Sequence, residues 1–243
     1  MTALQAPAHA GAWLQEKGHG LLILSTTMLS GDKVFDAAGH PFDIPRYNRF
    51  DTSAWLEYGL TDGLTLVLRP QFRSVSLGKP YNLHYSGLGY TGLGARIGLW
   101  SSGGTVLSLQ SMLRIPGEPL VGSAQFETET RLLYGHSYKL GTWPAFIDTQ
   151  FAYRFRAGIA PDEVRSDVTF GVRPRPDLMM MAQAFSTFSF GGFYASGWEY
   201  KVQLSAVWDF AKDWSVQVGG SATVAGVNAL QERGYFAAIW KRF

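Results

Sequence analysis

An all-β fold, a transmembrane antiparallel up-and-down β-barrel of about twelve strands, is predicted by three features of this 243-residue chain. Side chains alternate between apolar and polar along nearly every segment, which is the period of a strand and not of a helix. The connections between segments are alternately short and long. The chain closes on "YFAAIWKRF", an alternating stretch that keeps an aromatic for its last residue, Phe243; a water-soluble domain ordinarily frays into polar solvent there.

Composition narrows the class. Hydrophobic residues make up 46% of the chain and mean hydropathy is -0.02. No apolar run approaches the roughly 18 residues of a membrane-spanning helix, so a helical membrane protein is excluded and the dispersed apolar residues point to strands. The chain has no cysteine, which rules out a disulfide scaffold and thiolate metal sites and suits an oxidising compartment outside the cytosol. A net charge of +2 is too small to argue for nucleic acid. The opening "MTALQAPAHAGAW" has small residues of the kind that flank a signal-peptidase site but no apolar stretch before them. Residues 1–18 are therefore expected as an N-terminal periplasmic segment left after removal of an export signal, and 19–243 as a single barrel domain.

The alternation is clearest in three stretches. "RFDTSAWLEYGL" sets Phe50, Thr52, Ala54, Leu56 and Tyr58 against Arg49, Asp51, Ser53, Trp55 and Glu57. "FIDTQFAYRFR" sets Ile147, Thr149, Phe151, Tyr153 and Phe155 against Asp148, Gln150, Arg154 and Arg156. "WEYKVQLSAVWDF" sets Trp198, Tyr200, Val202, Leu204, Ala206 and Trp208 against Glu199, Lys201, Gln203, Ser205 and Asp209. Short turns are expected at 61–63, 101–104, 141–145, 173–177 and 211–214, and longer connections at 31–46, 77–87, 115–125, 157–164, 191–197 and 226–233. An even strand number returns both termini to one side, with short turns on one rim and long loops on the other, as in outer-membrane barrels.

Electrostatic cost decides which face points where. Ten arginines (Arg49, Arg69, Arg73, Arg96, Arg114, Arg131, Arg154, Arg156, Arg165 and Arg173) fall on the polar faces. An arginine facing lipid at mid-membrane costs roughly 2 to 4 kcal/mol, so these must line the interior. With Lys201 they face Asp51, Glu57, Glu127, Glu129, Asp148, Asp167, Glu199 and Asp209, a modest cationic excess. The opposite face then meets lipid. Tyr58, Trp100, Tyr138, Trp143, Trp208, Phe210, Trp214 and Trp240, all near a short turn or the C-terminus, are expected as an interfacial girdle. Phe243 extends the line of Tyr235, Ala237 and Ile239, and Lys241 on that face has to snorkel. A soluble sandwich also alternates, but it leaves the loop-length pattern, the girdle and the terminal Phe without a cause.

Two resemblances bear on these features. "AAIWKRF" resembles the C-terminal signal by which the barrel assembly machinery recognises outer-membrane proteins, with Lys241 where such signals usually carry an apolar or aromatic residue. "LEYGLTDGLTLVL" (56–68) and "SGLGYTGLGARIGL" (86–99) resemble recurrent segments of the transporter-like outer-membrane proteins labelled "MetA-pathway of phenol degradation", with Tyr90 where that group usually has Asp. The second resemblance implies an outer-membrane barrel, and its label implies passage of small aromatic or hydrophobic compounds.

Candidate chemistry is sparse. "GLGYTGLG" is followed by no helix that could present its N-terminus to a phosphate, so its glycines are read as relief of crowding or strand bends. His84 and Ser86, two apart, would share a strand face as a base and a nucleophile do in a lipid hydrolase, although they fall in an expected long loop with no acidic partner. Glu127 and Glu129 have the spacing of a carboxylate pair, yet ion pairing with neighbouring arginines explains them more simply. The 5 histidines are scattered and no metal or cofactor is expected.

The sequence thus points to a monomeric outer-membrane channel for passive passage of small solutes of aromatic or anionic character. Its lumen-lining binding residues are Arg49, Arg69, Arg73, Arg96, Arg114, Glu127, Glu129, Arg131, Arg154, Arg156, Arg173 and Lys201. Its expected partners are outer-membrane lipid and lipopolysaccharide, and the assembly machinery through Phe243. The alternatives are a lipid hydrolase using His84 and Ser86, or a plugged barrel with a structural or partner-binding role presented by residues 31–46.

Overall fold

The structure, a computed structural model, describes residues 11–117, 125–191 and 196–243. It contains β1 (Gly20–Phe35), β2 (Pro41–Thr61), β3 (Leu64–Arg69), β4 (Gln71–Leu77), β5 (Leu83–Leu88), β6 (Thr91–Ser102), β7 (Thr105–Ile115), β8 (Glu127–Leu140), β9 (Trp143–Arg156), β10 (Asp162–Arg175), β11 (Leu178–Phe190), β12 (Gly197–Ala211), β13 (Trp214–Val227) and β14 (Ala229–Arg242). Among the described residues there is no helix.

These segments make twelve wall positions. Both β3 and β4 pair with β2, through Leu56↔Leu68 and Phe50↔Ser74, so they are two halves of one strand broken at Pro70. Proline has no N–H to give a ladder, but its carbonyl still accepts from the Ala54 amide at 3.1 Å. The facing strand is broken at the same level, with β6 pairing with β3 and β5 with β4. From β6 each strand pairs antiparallel with the next in sequence through to β14. β1 pairs antiparallel with both β2 and β14, through Leu22↔Leu56 and Ile23↔Trp240, and closes the cylinder. Closure leaves no sheet edge to be satisfied in lipid.

Burial follows the period of two. Along β8 the buried Glu127, Glu129, Arg131, Leu133 and Gly135 alternate with the exposed Thr128, Thr130, Leu132 and Tyr134. Short turns lie at the rim shared with the C-terminus: Asp62–Gly63, Gly103–Gly104, Gly141–Thr142, Pro176–Asp177 and Lys212–Asp213. The left-handed backbone of Gly103, Gly104 and Gly141, with φ of 59°, 84° and 63°, explains glycine there.

The opposite rim differs from the sequence expectation. Most of 31–46 and 226–233, expected as long connections, is strand. β1 and β2 meet through a turn at 36–40, where Asp36 accepts from the Ala38 and His40 amides at 2.8 Å each, and β13 joins β14 through Asn228 alone, with φ of 50°. Above the membrane both strand faces meet water, so the polar-apolar contrast that marks a strand disappears. Parts of the expected connections at 115–125 and 191–197 lie outside the described residues.

Seven of the eight girdle aromatics point outward from the short-turn rim, and Trp240 does not. It is 4% exposed, donates from Nε1 to the Gln217 side-chain oxygen at 3.1 Å, and packs with Leu21, Phe146, Met179, Met181, Val207 and Ala238. Its neighbours Ile239 and Lys241 face out, so strand alternation turns Trp240 inward. Phe243 is exposed and continues the seam: its amide donates to the Gly20 carbonyl at 3.0 Å, and the Gly20 amide donates back at 2.7 Å. Lys241 does snorkel, with Nζ 3.6 Å from Asp213 and 5.0 Å from the Trp214 ring centroid.

Candidate functional site: a charged lumen

All twelve residues expected to line the lumen lie on inward-facing positions. Strand register groups half of them into a ladder. Arg114, Glu127 and Arg156 are in register across β7, β8 and β9, and Glu129, Arg154 and Glu163 across β8, β9 and β10. Glu127 receives Arg156 at 2.9 Å and Arg114 at 3.2 Å. Glu129 receives Arg154 at 2.5 Å and Arg131 at 3.0 Å, and Arg131 also donates to Asp167. Glu163, left in a loop by the sequence reading, bridges Arg154 at 2.9 Å and Arg156 at 3.0 Å. With each carboxylate held between guanidinium groups, Glu127 and Glu129 serve as counter-ions.

Two smaller groups of ion pairs lie apart from the ladder. Asp51 lies between Arg73 at 2.7 Å and Arg49 at 3.2 Å, while Glu232 holds Arg49 and Lys201, each at 3.2 Å. Near the short-turn rim, Asp209 receives Arg173 at 2.8 Å and Arg242 at 3.4 Å. Glu232 was missed because it sits at a strand end that the sequence assigned to a loop, and Arg242, on the inward side of the closing strand, was not counted among the lumen residues.

Arg69 and Arg165 stand apart from this pairing. Neither has a carboxylate partner within ion-pair distance among the described residues, and the buried Nε of Arg165 has no hydrogen-bond acceptor. Arg69, on β3, is exposed to the lumen with its guanidinium carbon 5.7 Å from the Trp55 ring centroid. The charged groups near enough to act on it include Arg165, Glu129, Arg154 and Arg131 of β8–β10. Arg114 adds a second guanidinium over an aromatic face, 5.0 Å from Tyr90.

The short-turn half of the lumen is occupied from within. Residues 11–16, part of the segment expected outside the barrel, run against the inner wall. The Ala12 amide donates to Asp148 at 2.8 Å and its carbonyl accepts from Ser108 at 2.8 Å. The Gln15 amide donates to Thr65 Oγ1 at 2.9 Å, and its side chain donates to Glu57 at 2.7 Å. Arg96, 1% exposed, ties wall to segment by donating to Glu57 at 2.6 Å and to the Trp13 carbonyl at 2.9 Å. Trp13 sits edge-on to Phe146 at 5.9 Å. Backbone seated in a narrow lumen needs its amides and carbonyls satisfied, and buried wall side chains supply partners for them. Residues 1–10 lie outside the described residues.

The wall leaves room for this segment through inward-facing glycines. A Cβ at Gly135 would stand 2.7 Å from the Trp13 ring and one at Gly98 3.0 Å from Leu14, and one at Gly59 would overlap the Gln15 and Glu16 carbonyls.

His84 and Ser86, expected in a loop, lie on β5 and face outward with exposed side chains. They share one face, as their spacing requires, but no hydrogen bond to a carboxylate orients His84 among the described residues. No group of His, Asp or Glu suited to a metal ion occurs among the described residues.

The closed wall, the apolar outer face and the charged lumen define a twelve-stranded β-barrel of the outer-membrane type. No protein-family model matches the sequence, and no curated protein does. Among solved structures the chain is similar to the COG4313 outer membrane channel from Pseudomonas putida F1, with a TM-score of 0.76 and 15% identity over 97% of this chain and 99% of that one. It is also similar to the NanC porin, at 0.57 and 8% identity over 90% and 98% of the two chains. The KdgM porin, solved in complex with disordered oligogalacturonate, follows at 0.54 and 9% identity over 92% and 99%. At these identities the likeness is one of fold.

Proposed function

We propose that the protein is a channel of the bacterial outer membrane that passes small anionic solutes by diffusion, with Arg69 and Arg165 as the groups that set its selectivity. The observation that carries this reading is the division of lumen cations into paired and unpaired. Paired guanidinium groups are largely cancelled by their carboxylates, whereas an unpaired one attracts an anion over the full distance that a low-dielectric wall allows. Arg also grips a carboxylate through two parallel hydrogen bonds and stacks on rings, so small aromatic acids suit a site that already sets guanidinium groups over Trp55 and Tyr90. The segment seated at 11–16 restricts passage to small solutes. The similarity in fold to solved outer-membrane channels and porins supports the class.

Single-channel recording of refolded protein in a planar bilayer, with reversal potential under a salt gradient, tests the proposal. Wild type is expected to show discrete steps and anion preference. The double variant Arg69→Gln, Arg165→Gln should keep its steps and lower the anion-to-cation permeability ratio severalfold. An unchanged reversal potential in the double variant rules out these residues as the selectivity groups, and an inserted but silent wild type rules out an open channel.

A further inference from the structure

Where the lipid-facing wall meets the rim opposite the short turns, two arginines border one groove on the outer surface. Arg233 on β14 and Arg46 on β2 are both exposed on outward positions. Register places Arg233 beside Ser30, Ser30 beside Asn48 and Asn48 beside Ser76, one polar rank across four strands. Arg46 lies one rank above Asn48. The rank beneath is Tyr235, Met28 and Phe50, and both ranks border a groove of about 910 Å³ that also takes in Leu204 and Ala222. Neither arginine has an ion pair among the described residues, in contrast to Arg49 on the inner face of the same strand.

Height decides what those charges meet. Arg233 stands eight residues along β14 from Lys241. At about 3.3 Å per residue on strands tilted about 40°, this is roughly 20 Å above the short-turn girdle. In an apolar band about 25 Å tall, the two arginines therefore reach its far edge, and Tyr235 lies beneath them at the depth where aromatics anchor.

We propose that this groove binds a phosphorylated glycolipid of the outer leaflet, with Arg46 and Arg233 holding a phosphate and its acyl chains lying along Tyr235, Met28, Phe50 and Leu204. Guanidinium groups bind phosphate through two parallel charge-assisted hydrogen bonds. The serine and asparagine rank supplies further hydrogen-bonding groups at the headgroup level, and the small side chains of Ser30 and Ala222 form the depression. The inference shares the outer-membrane setting of the proposed function, and it holds whether or not the lumen conducts.

Native mass spectrometry of the detergent-solubilised barrel with added bisphosphorylated lipid A provides the test. Wild type should retain one lipid, and Arg46→Gln with Arg233→Gln should weaken retention at least tenfold. Dephosphorylated lipid A should bind wild type no better than the phosphorylated lipid binds that variant. Ala222→Leu, which fills the groove and keeps both charges, should also weaken binding, while Arg175→Gln at the opposite rim should not. Heat-dependent gel mobility verifies that each variant is folded. Equal retention by wild type and the double variant overturns the site, as does equal binding of both lipids or an equal loss with Arg175→Gln. Membrane fractionation separates the two readings, because a barrel found outside the outer membrane sinks the proposed function and leaves the measured lipid affinity standing.

Discussion

At the scale of single residues, Glu57 shows how the lumen joins stability to contents. It is 2% exposed and accepts from Arg96 at 2.6 Å, Gln15 at 2.7 Å and Trp55 at 2.9 Å. Removing one member of a buried ion pair leaves the other charge uncompensated. Glu57→Ala is expected to lower barrel stability by about 3 kcal/mol, read as a fall in the denaturation midpoint, and to speed hydrogen exchange of the Gln15 amide. Unchanged exchange there would mean that Glu57 holds only the wall. That such groups face inward was legible in the sequence, because a row of arginines in lipid costs too much. Which of them are paired was not legible, since pairing depends on cross-strand register. Arg69 and Arg165 look no different in sequence from Arg73 and Arg154.

At the scale of elements, the N-terminal segment is the part the sequence reading placed elsewhere. "GAWLQ" has no strand or helix period, and periodicity is blind to a stretch held by wall side chains. A signal did exist in the inward-facing glycines Gly59, Gly98 and Gly135, which form a trough only once the register is known. Gly135→Val sets two methyl groups against the Trp13 ring. It should displace residues 11–16 while leaving the wall strands intact, and the measurable outcome is larger unit conductance with faster exchange of the Ala12 and Gln15 amides. If conductance stays the same, the seated segment does not limit the passage. Central strand stretches were read correctly because lipid on one face and charge on the other sharpen alternation. Strand ends such as those carrying Glu163 and Glu232 were lost where that contrast fades.

At the scale of the whole molecule, the cylinder depends on the seam between β1 and β14. Phe243 lies across it, its ring so close to Gly20 that a Cβ there would stand 2.5 Å from it. Phe243→Ala removes this cover and the aromatic end that resembles an assembly signal. Expressed in cells, the variant should yield a smaller fraction of heat-modifiable, folded barrel than wild type, while refolding in detergent is affected less. Equal loss in both would assign the residue to seam stability alone. Closure was legible from strand parity and from the terminal aromatic, whereas the breaks at Pro70 and its facing strand were not, because each half still alternates. The separation of paired from unpaired lumen charges has a wider meaning for how such a barrel diversifies. Groups already neutralised by their neighbours are committed to the architecture, and changing one disturbs several strands. Arg69 and Arg165 carry no such obligation, so under the proposed function exchange at these two positions is expected to alter what the pore admits without refolding its wall.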